Sequence, residues 1–157
     1  GLEPFLGTEQ SLEAGVTVRP YSRLRFDLSY LYSDLSTSDE SVLEPAAPRG
    51  RVFTDHILRS RVNYPFTREL SARVIFDYES LAPNHALVNL DDERRFNADV
   101  LVTYLVNPWT AVYAGYADGY ENRPLAPITS PPPSRADLPL TSVGRQVFVK
   151  LSYLFRY

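Results

Sequence analysis

The sequence contains no cysteine, which excludes both a disulfide framework and a thiolate metal site. It contains no methionine either, even at its first position, so a processed product or a piece of a longer chain is expected. No apolar run approaches the roughly 18 residues that a membrane-crossing helix needs. Lysine and arginine form no cluster that could track phosphates, and a net charge of −3 argues against a nucleic-acid partner. Histidine is scarce, with only His56 and His85, and a single tryptophan stands beside 11 tyrosines and 8 phenylalanines.

What the chain does have is alternation. Its last stretch, 144–157, reads GRQVFVKLSYLFRY, with Val147, Val149, Leu151, Tyr153, Phe155 and Tyr157 alternating with Gln146, Phe148, Lys150, Ser152, Leu154 and Arg156. A period of two sustained this long predicts a strand with one apolar and one mostly polar face. The chain then stops on an aromatic ring. A strand closing a barrel against lipid has reason to be built this way, because its outer face must be apolar and rings sit well at the membrane interface.

The same pattern recurs upstream. Leu12, Ala14, Val16 and Val18 form a first run, which Pro20 is expected to break because proline donates nothing to a ladder. Leu24, Phe26, Leu28, Tyr30 and Tyr32 form a second, and Leu58, Val62 and Tyr64 a third in which His56 and Ser60 fall on the apolar side. Leu70, Ala72, Val74, Phe76 and Tyr78 make a fourth, and Phe96, Ala98, Val100, Val102 and Tyr104 a fifth. The sixth, 111–120, is small and aromatic on both sides, which leaves its orientation open. Residues 1–8 are weakly patterned and could hide a short eighth strand.

The connections alternate between short and long. Pro65-Phe66-Thr67-Arg68 and Asn107-Pro108-Trp109-Thr110 are tight, whereas 34–50, the acidic stretch ending Asp91-Asp92-Glu93 and the proline-heavy 122–144 are extended. Bacterial outer-membrane barrels have this rhythm, with tight turns on the periplasmic side. Strands of roughly 10 to 13 residues also suit a tilted crossing of a bilayer. The expected fold is all-β: an antiparallel transmembrane β-barrel of about seven or eight strands, with 1–157 as one segment and no second domain. Seven is an odd count, and single-chain bacterial barrels have an even one. The segment is therefore expected to be the C-terminal part of a larger barrel, its missing strands lying upstream or on another chain.

In such a barrel the charged face looks inward. The expected lumen-lining charges are Arg25, Asp27, Arg59, Arg61, Arg73, Asp77, Asp99 and Lys150, with Glu79 and Arg156 beside them. They could form cross-strand ion pairs that fix register, or a polar pathway that selects solutes. Tyr30, Tyr32, Tyr78 and Tyr104, near strand ends, are expected to ring the membrane interface. Asp55, His56 and Ser60 could be forced into a hydrolase mould, but neighbours on a strand point to opposite faces. The acidic run at 91–93 could hold Ca²⁺, although such loops are more often simply solvated. Neither an enzyme nor a cofactor is expected.

FNADVLVTYLVNPWTAVYAGYADGYENR (96–123) together with GRQVFVKLSYLFRY (144–157) resembles the end of a group of bacterial outer-membrane proteins. These carry an N-terminal domain similar to carbohydrate-binding module family nine, followed by a C-terminal barrel of unassigned function. The resemblance rests on the Asn-Pro-Trp-Thr turn, the Tyr-Ala-Gly-Tyr strand and the Lys-Leu-Ser-Tyr-Leu-Phe-Arg-aromatic end. It covers somewhat over a third of the chain, and 1–95 match only as generic barrel strands. It implies a sugar-binding module upstream. It also implies that the barrel-assembly machinery reads the closing strand at Leu151, Tyr153, Phe155 and Tyr157.

The function expected is that of an integral outer-membrane barrel in a Gram-negative bacterium, embedded in outer-membrane lipid and passing or binding a solute through a polar lumen. Two alternatives are a plugged barrel serving as an anchor for a larger assembly, and a soluble antiparallel barrel holding an apolar ligand inside.

Overall fold

The computed structural model describes residues 7–37, 50–123 and 135–155. Seven strands follow one another: β1 (Gly7–Tyr21), β2 (Leu24–Thr37), β3 (Arg51–Pro65), β4 (Leu70–Pro83), β5 (Glu93–Asn107), β6 (Thr110–Glu121) and β7 (Thr141–Tyr153). They pair in sequence order, every neighbour antiparallel, in a single sheet. Among the described residues the one helical turn is a short 3₁₀ turn, Arg135–Asp137.

The strands outrun the alternating stretches that announce them. β2 continues through Asp34 to Thr37, where a loop was expected, because Asp34 opposite Thr54 accepts a hydrogen bond from its hydroxyl and pairs with Arg51. Glu93 begins β5 instead of ending an acidic loop, and β7 begins at Thr141 instead of Gly144. Pro20 does not end β1. It sits where the ladder slips between Val18 and Tyr21, so no rung needs the proton it lacks.

The tight turns are closed by side chains of the right kind. The Thr67 hydroxyl accepts from the backbone N–H of Glu69 and Leu70, and the Asn107 carbonyl accepts from that of Trp109, which is how such residues favour turns. Arg23, in the β1–β2 turn, donates to the Phe66 carbonyl in the β3–β4 turn. The short connections therefore gather at one end of the sheet.

The sheet is sheared. One rung runs straight across it through Val18, Phe26, Val62, Val74, Val100, Tyr116 and Val147. Above that rung β1 extends eleven residues to Gly7, whereas β6 extends five to Glu121. Below it β2 begins two residues away at Leu24, whereas β6 begins six away at Thr110. Both ends thus step the same way, by about one residue per strand. With a rise of about 3.4 Å per residue and about 4.8 Å between strands, the strands lean by roughly 35° from the normal to the line of their ends.

No second layer packs on the sheet among the described residues. Among the described residues the only buried hydrophobic side chains are Val52 and Ala111. β1 and β7 are its two edges, and no ladder joins them among the described residues. In a seven-strand meander the first and last strands run in the same direction, so these two could pair directly only as a parallel ladder.

Candidate functional site

Residues opposite each other on a rung share a face, so the register sorts the whole sheet. One face carries the apolar runs predicted from sequence. It also settles β6, which places Val112, Ala114 and Tyr116 on that face and Tyr113, Gly115 and Ala117 on the other. The apolar face is uncovered: Val100 and Val102 are 36% exposed, Leu151 67% and Val149 74%. On β5 the polar-face residues Leu101 and Thr103 are half-buried while their apolar-face neighbours are exposed.

Height along this sheared sheet is measured across the strands' lean. At roughly 35°, one residue up a strand and one strand across a rung each raise a side chain by about 2.8 Å. On this scale Tyr64, Tyr104 and Tyr153, on three different strands, fall at a single height near the short-turn end. Tyr32 and Tyr78 share a second height seven steps above, about 20 Å away. Tyr30 and Tyr116 lie two steps below that upper pair and Tyr120 two steps above it, the Tyr30 hydroxyl bonded to His56 Nδ1 at 2.7 Å. Between the two tyrosine levels the uncovered face is almost wholly apolar, Ser60 being the exception. Just above the upper level it becomes mixed, with Gln10, His56, Arg145, Asp34 and Ser80 beside the rings of Phe96 and Tyr120. His56, anomalous in the sequence pattern, belongs to this margin.

All eight charges expected to share a face do so. Asp27 stands opposite Arg61, Arg59 opposite Asp77, and Asp99, Arg73, Arg25 and Lys150 occupy the same side. Pairing among them is partial. The Arg59 guanidinium donates to Asp77 at 2.6 Å, and Asp27 accepts from Arg25 at 2.9 Å and from the Thr17 hydroxyl at 2.6 Å. Arg61, Arg73, Asp99 and Lys150 form no ion pair among the described residues. Among the described residues, hollows open on this polar face, one of about 630 Å³ bordered by Asp77, Asn97, Asp99, Gly119 and Gln146. Gly115 is required beside it, because a Cβ there would enter the ring of Phe148.

Asp55 and His56 lie on opposite faces, Asp55 on the rung of Ser33 and Leu81 and His56 on that of Tyr32 and Ser80. They share no site. In the acidic run, Asp92 contacts His85 at 2.8 Å and Glu93 pairs with Arg95 within β5, while Asp91 stays largely in water with Arg135 at 3.7 Å. Of the closing-strand positions, Leu151 and Tyr153 lie on β7 and Phe155 just past its end, its ring centroid 4.6 Å from that of Tyr153. Tyr157 and Arg156 lie outside the described residues.

Three clusters escaped the sequence reading. Asp118, buried on the apolar side at its upper margin, accepts hydrogen bonds from Tyr116, Tyr120, Ser142 and Arg145. Arg95, on the polar face, is held by Glu79, Glu93 and Glu121. Asn122, fully buried, accepts from the Arg94 amide and donates to the carbonyls of Asp92 and Arg135, pinning the end of the last long loop. The polar residues of a small-residue strand and of a loop carry no periodic signal, so only the fold could bring these groups together.

Comparison of the chain with protein-family models, with curated proteins and with solved structures finds no match.

Proposed function

We propose that this chain is part of the wall of a bacterial outer-membrane β-barrel whose polar lumen passes or binds a solute. One observation carries the reading. The uncovered apolar residues do not follow the rungs of the sheet. They form a level band about 20 Å tall between two tyrosine levels, and it is level only once the lean of the strands is taken into account. A bilayer demands that arrangement of a barrel wall: an apolar band about 25 Å tall, bounded by aromatic girdles, on strands tilted 35–45°. A water-soluble sheet needs a second layer over its apolar face, and none is present among the described residues.

The edges add a requirement. Because β1 and β7 run the same way, an antiparallel wall closing the gap must contribute an odd number of strands. Seven plus an odd number is even, as single-chain bacterial barrels are. The likeness of 96–123 and 144–157 to outer-membrane proteins with a carbohydrate-binding-like module fits this reading. On this reading Leu151, Tyr153, Phe155 and Tyr157 are the positions that the assembly machinery would recognise.

Part of the polar face is filled by the Arg95 cluster and by Phe148 over Gly115, which favours a plugged anchor as the second reading. Conductance in planar bilayers separates the two, since a solute pathway gives discrete open steps and an anchor stays closed at every voltage. Release of the protein from membranes without detergent would contradict both.

A further inference from the structure

The charges of the polar face are sorted by height, and this has a consequence for transport that rests on the pore reading above. Near the short-turn end stand four cations, Arg25, Arg61, Arg73 and Lys150, with only Asp27 against them. From mid-height to the long-loop end the balance reverses. Glu13, Asp77 and Asp99 share the middle with Arg59 alone. Higher still, Glu9, Asp55, Glu79, Glu93 and Glu121 meet Arg95 and, past the end of β6, Arg123. Eight carboxylates thus face three cations over the upper part, and four cations face one carboxylate below. The pairs that do form are internal to each zone: Arg59 with Asp77, Arg25 with Asp27, Arg95 with its three glutamates and Arg123 with Glu121. Neither zone neutralises the other.

We propose that this wall makes the pore a two-zone ion rectifier, cation-collecting at the long-loop mouth and anion-collecting at the short-turn mouth. Like-charged rings in a low-dielectric channel concentrate counter-ions well above their bath level. A voltage positive on the long-loop side drives cations inward through the acidic zone and anions inward through the basic zone. Both carriers then accumulate at the junction and conductance is high. The opposite voltage draws each carrier back toward its own mouth, empties the junction and lowers conductance. The centres of the two zones lie about 16 Å apart in height, beyond the screening length of about 10 Å at 0.1 M salt, and at 1 M, where it is about 3 Å, the effect should fade.

The test is single-channel recording of the full chain with its natural partner strands, in planar bilayers with KCl as the probe. These 157 residues contain no cysteine, so Arg68→Cys in the β3–β4 turn adds a single thiol to them, and the protein without this substitution is the labelling control. Labelling the added cysteine from one compartment with an impermeant thiol reagent fixes orientation. The inference expects conductance at 0.1 M KCl about twofold higher with the long-loop side positive, falling toward equality at 1 M as screening shortens. Arg73→Gln with Lys150→Gln, two residues without ion pairs among those described, should abolish the asymmetry and shift the reversal potential toward cation selectivity. Glu9→Gln with Glu13→Gln should also reduce the asymmetry, but shift selectivity toward anions. Open channels that conduct equally in both directions, or whose asymmetry ignores both double variants, overturn this inference and leave the pore reading standing. Channels that never open overturn the pore reading itself.

Discussion

Val18, Val74 and Val147 lie on one rung and on one face, so local pairing makes them equivalent. The lean of the strands makes them unequal. Val18 stands at the height of the lower tyrosines, Val74 about 8 Å higher and Val147 about 17 Å higher, close to the upper pair. Arginine on the lipid face of a barrel costs about 2–4 kcal/mol at the bilayer midplane and about 0–1 kcal/mol near either interface. Val74→Arg should therefore destabilise the protein by about 2–4 kcal/mol, and Val18→Arg and Val147→Arg by about 1 kcal/mol or less. Leu101→Arg, at the height of Val74 but on the polar face, should also stay near or below about 1 kcal/mol. The assay is reversible urea unfolding in lipid vesicles, followed by the emission of Trp109, the only tryptophan. Equal costs at the three valines would refute the tilt, and a costlier Leu101→Arg than Val74→Arg would refute the assignment of faces.

Three further outcomes are expected. Asp118→Ala leaves the Tyr116, Tyr120, Ser142 and Arg145 donors without their shared acceptor and should cost about 1–3 kcal/mol; adding Arg145→Ala should cost less than the sum of the single changes in the same unfolding assay. Asn122→Ala removes the fully buried amide holding the last long loop, and limited proteolysis in detergent should cut 122–140 faster while 93–107 stays protected. Gly115→Val forces the Phe148 ring off its seat and should cost about 1–3 kcal/mol, and Phe148→Ala in the same chain should recover part of it.

Much of the fold was legible because a strand with two unlike faces writes its period into the sequence. Runs such as Leu24-Phe26-Leu28-Tyr30-Tyr32 mark strand and face at once, and the short and long connections fixed the order of pairing. Strand ends were less legible. Asp34, Glu93 and Thr141 are residues of loop type, held in the ladder by partners on the neighbouring strand that no local window contains. Pro20 misled for the same reason, since whether a missing N–H matters depends on where the ladder slips. The lean of the sheet was invisible in any single strand. It emerges only from the register of all seven, and with it the level of the tyrosines and the zoning of the charges. Asp118 and Asn122 lay in stretches without period, so nothing local distinguished their roles from those of ordinary surface residues.

The central claim is that the apolar side meets hydrocarbon and the charged side does not. Two neighbours on β5 test it most directly: Leu101 and Val102 differ by one residue in height and point to opposite faces. In a Trp109→Phe background, Val102→Trp and Leu101→Trp each place one fluorophore for quenching by lipids brominated on their acyl chains. Strong quenching of the tryptophan at 102 with little at 101 is the expected result. Equal quenching at both sites, none at either, or the stronger effect at 101 would contradict it.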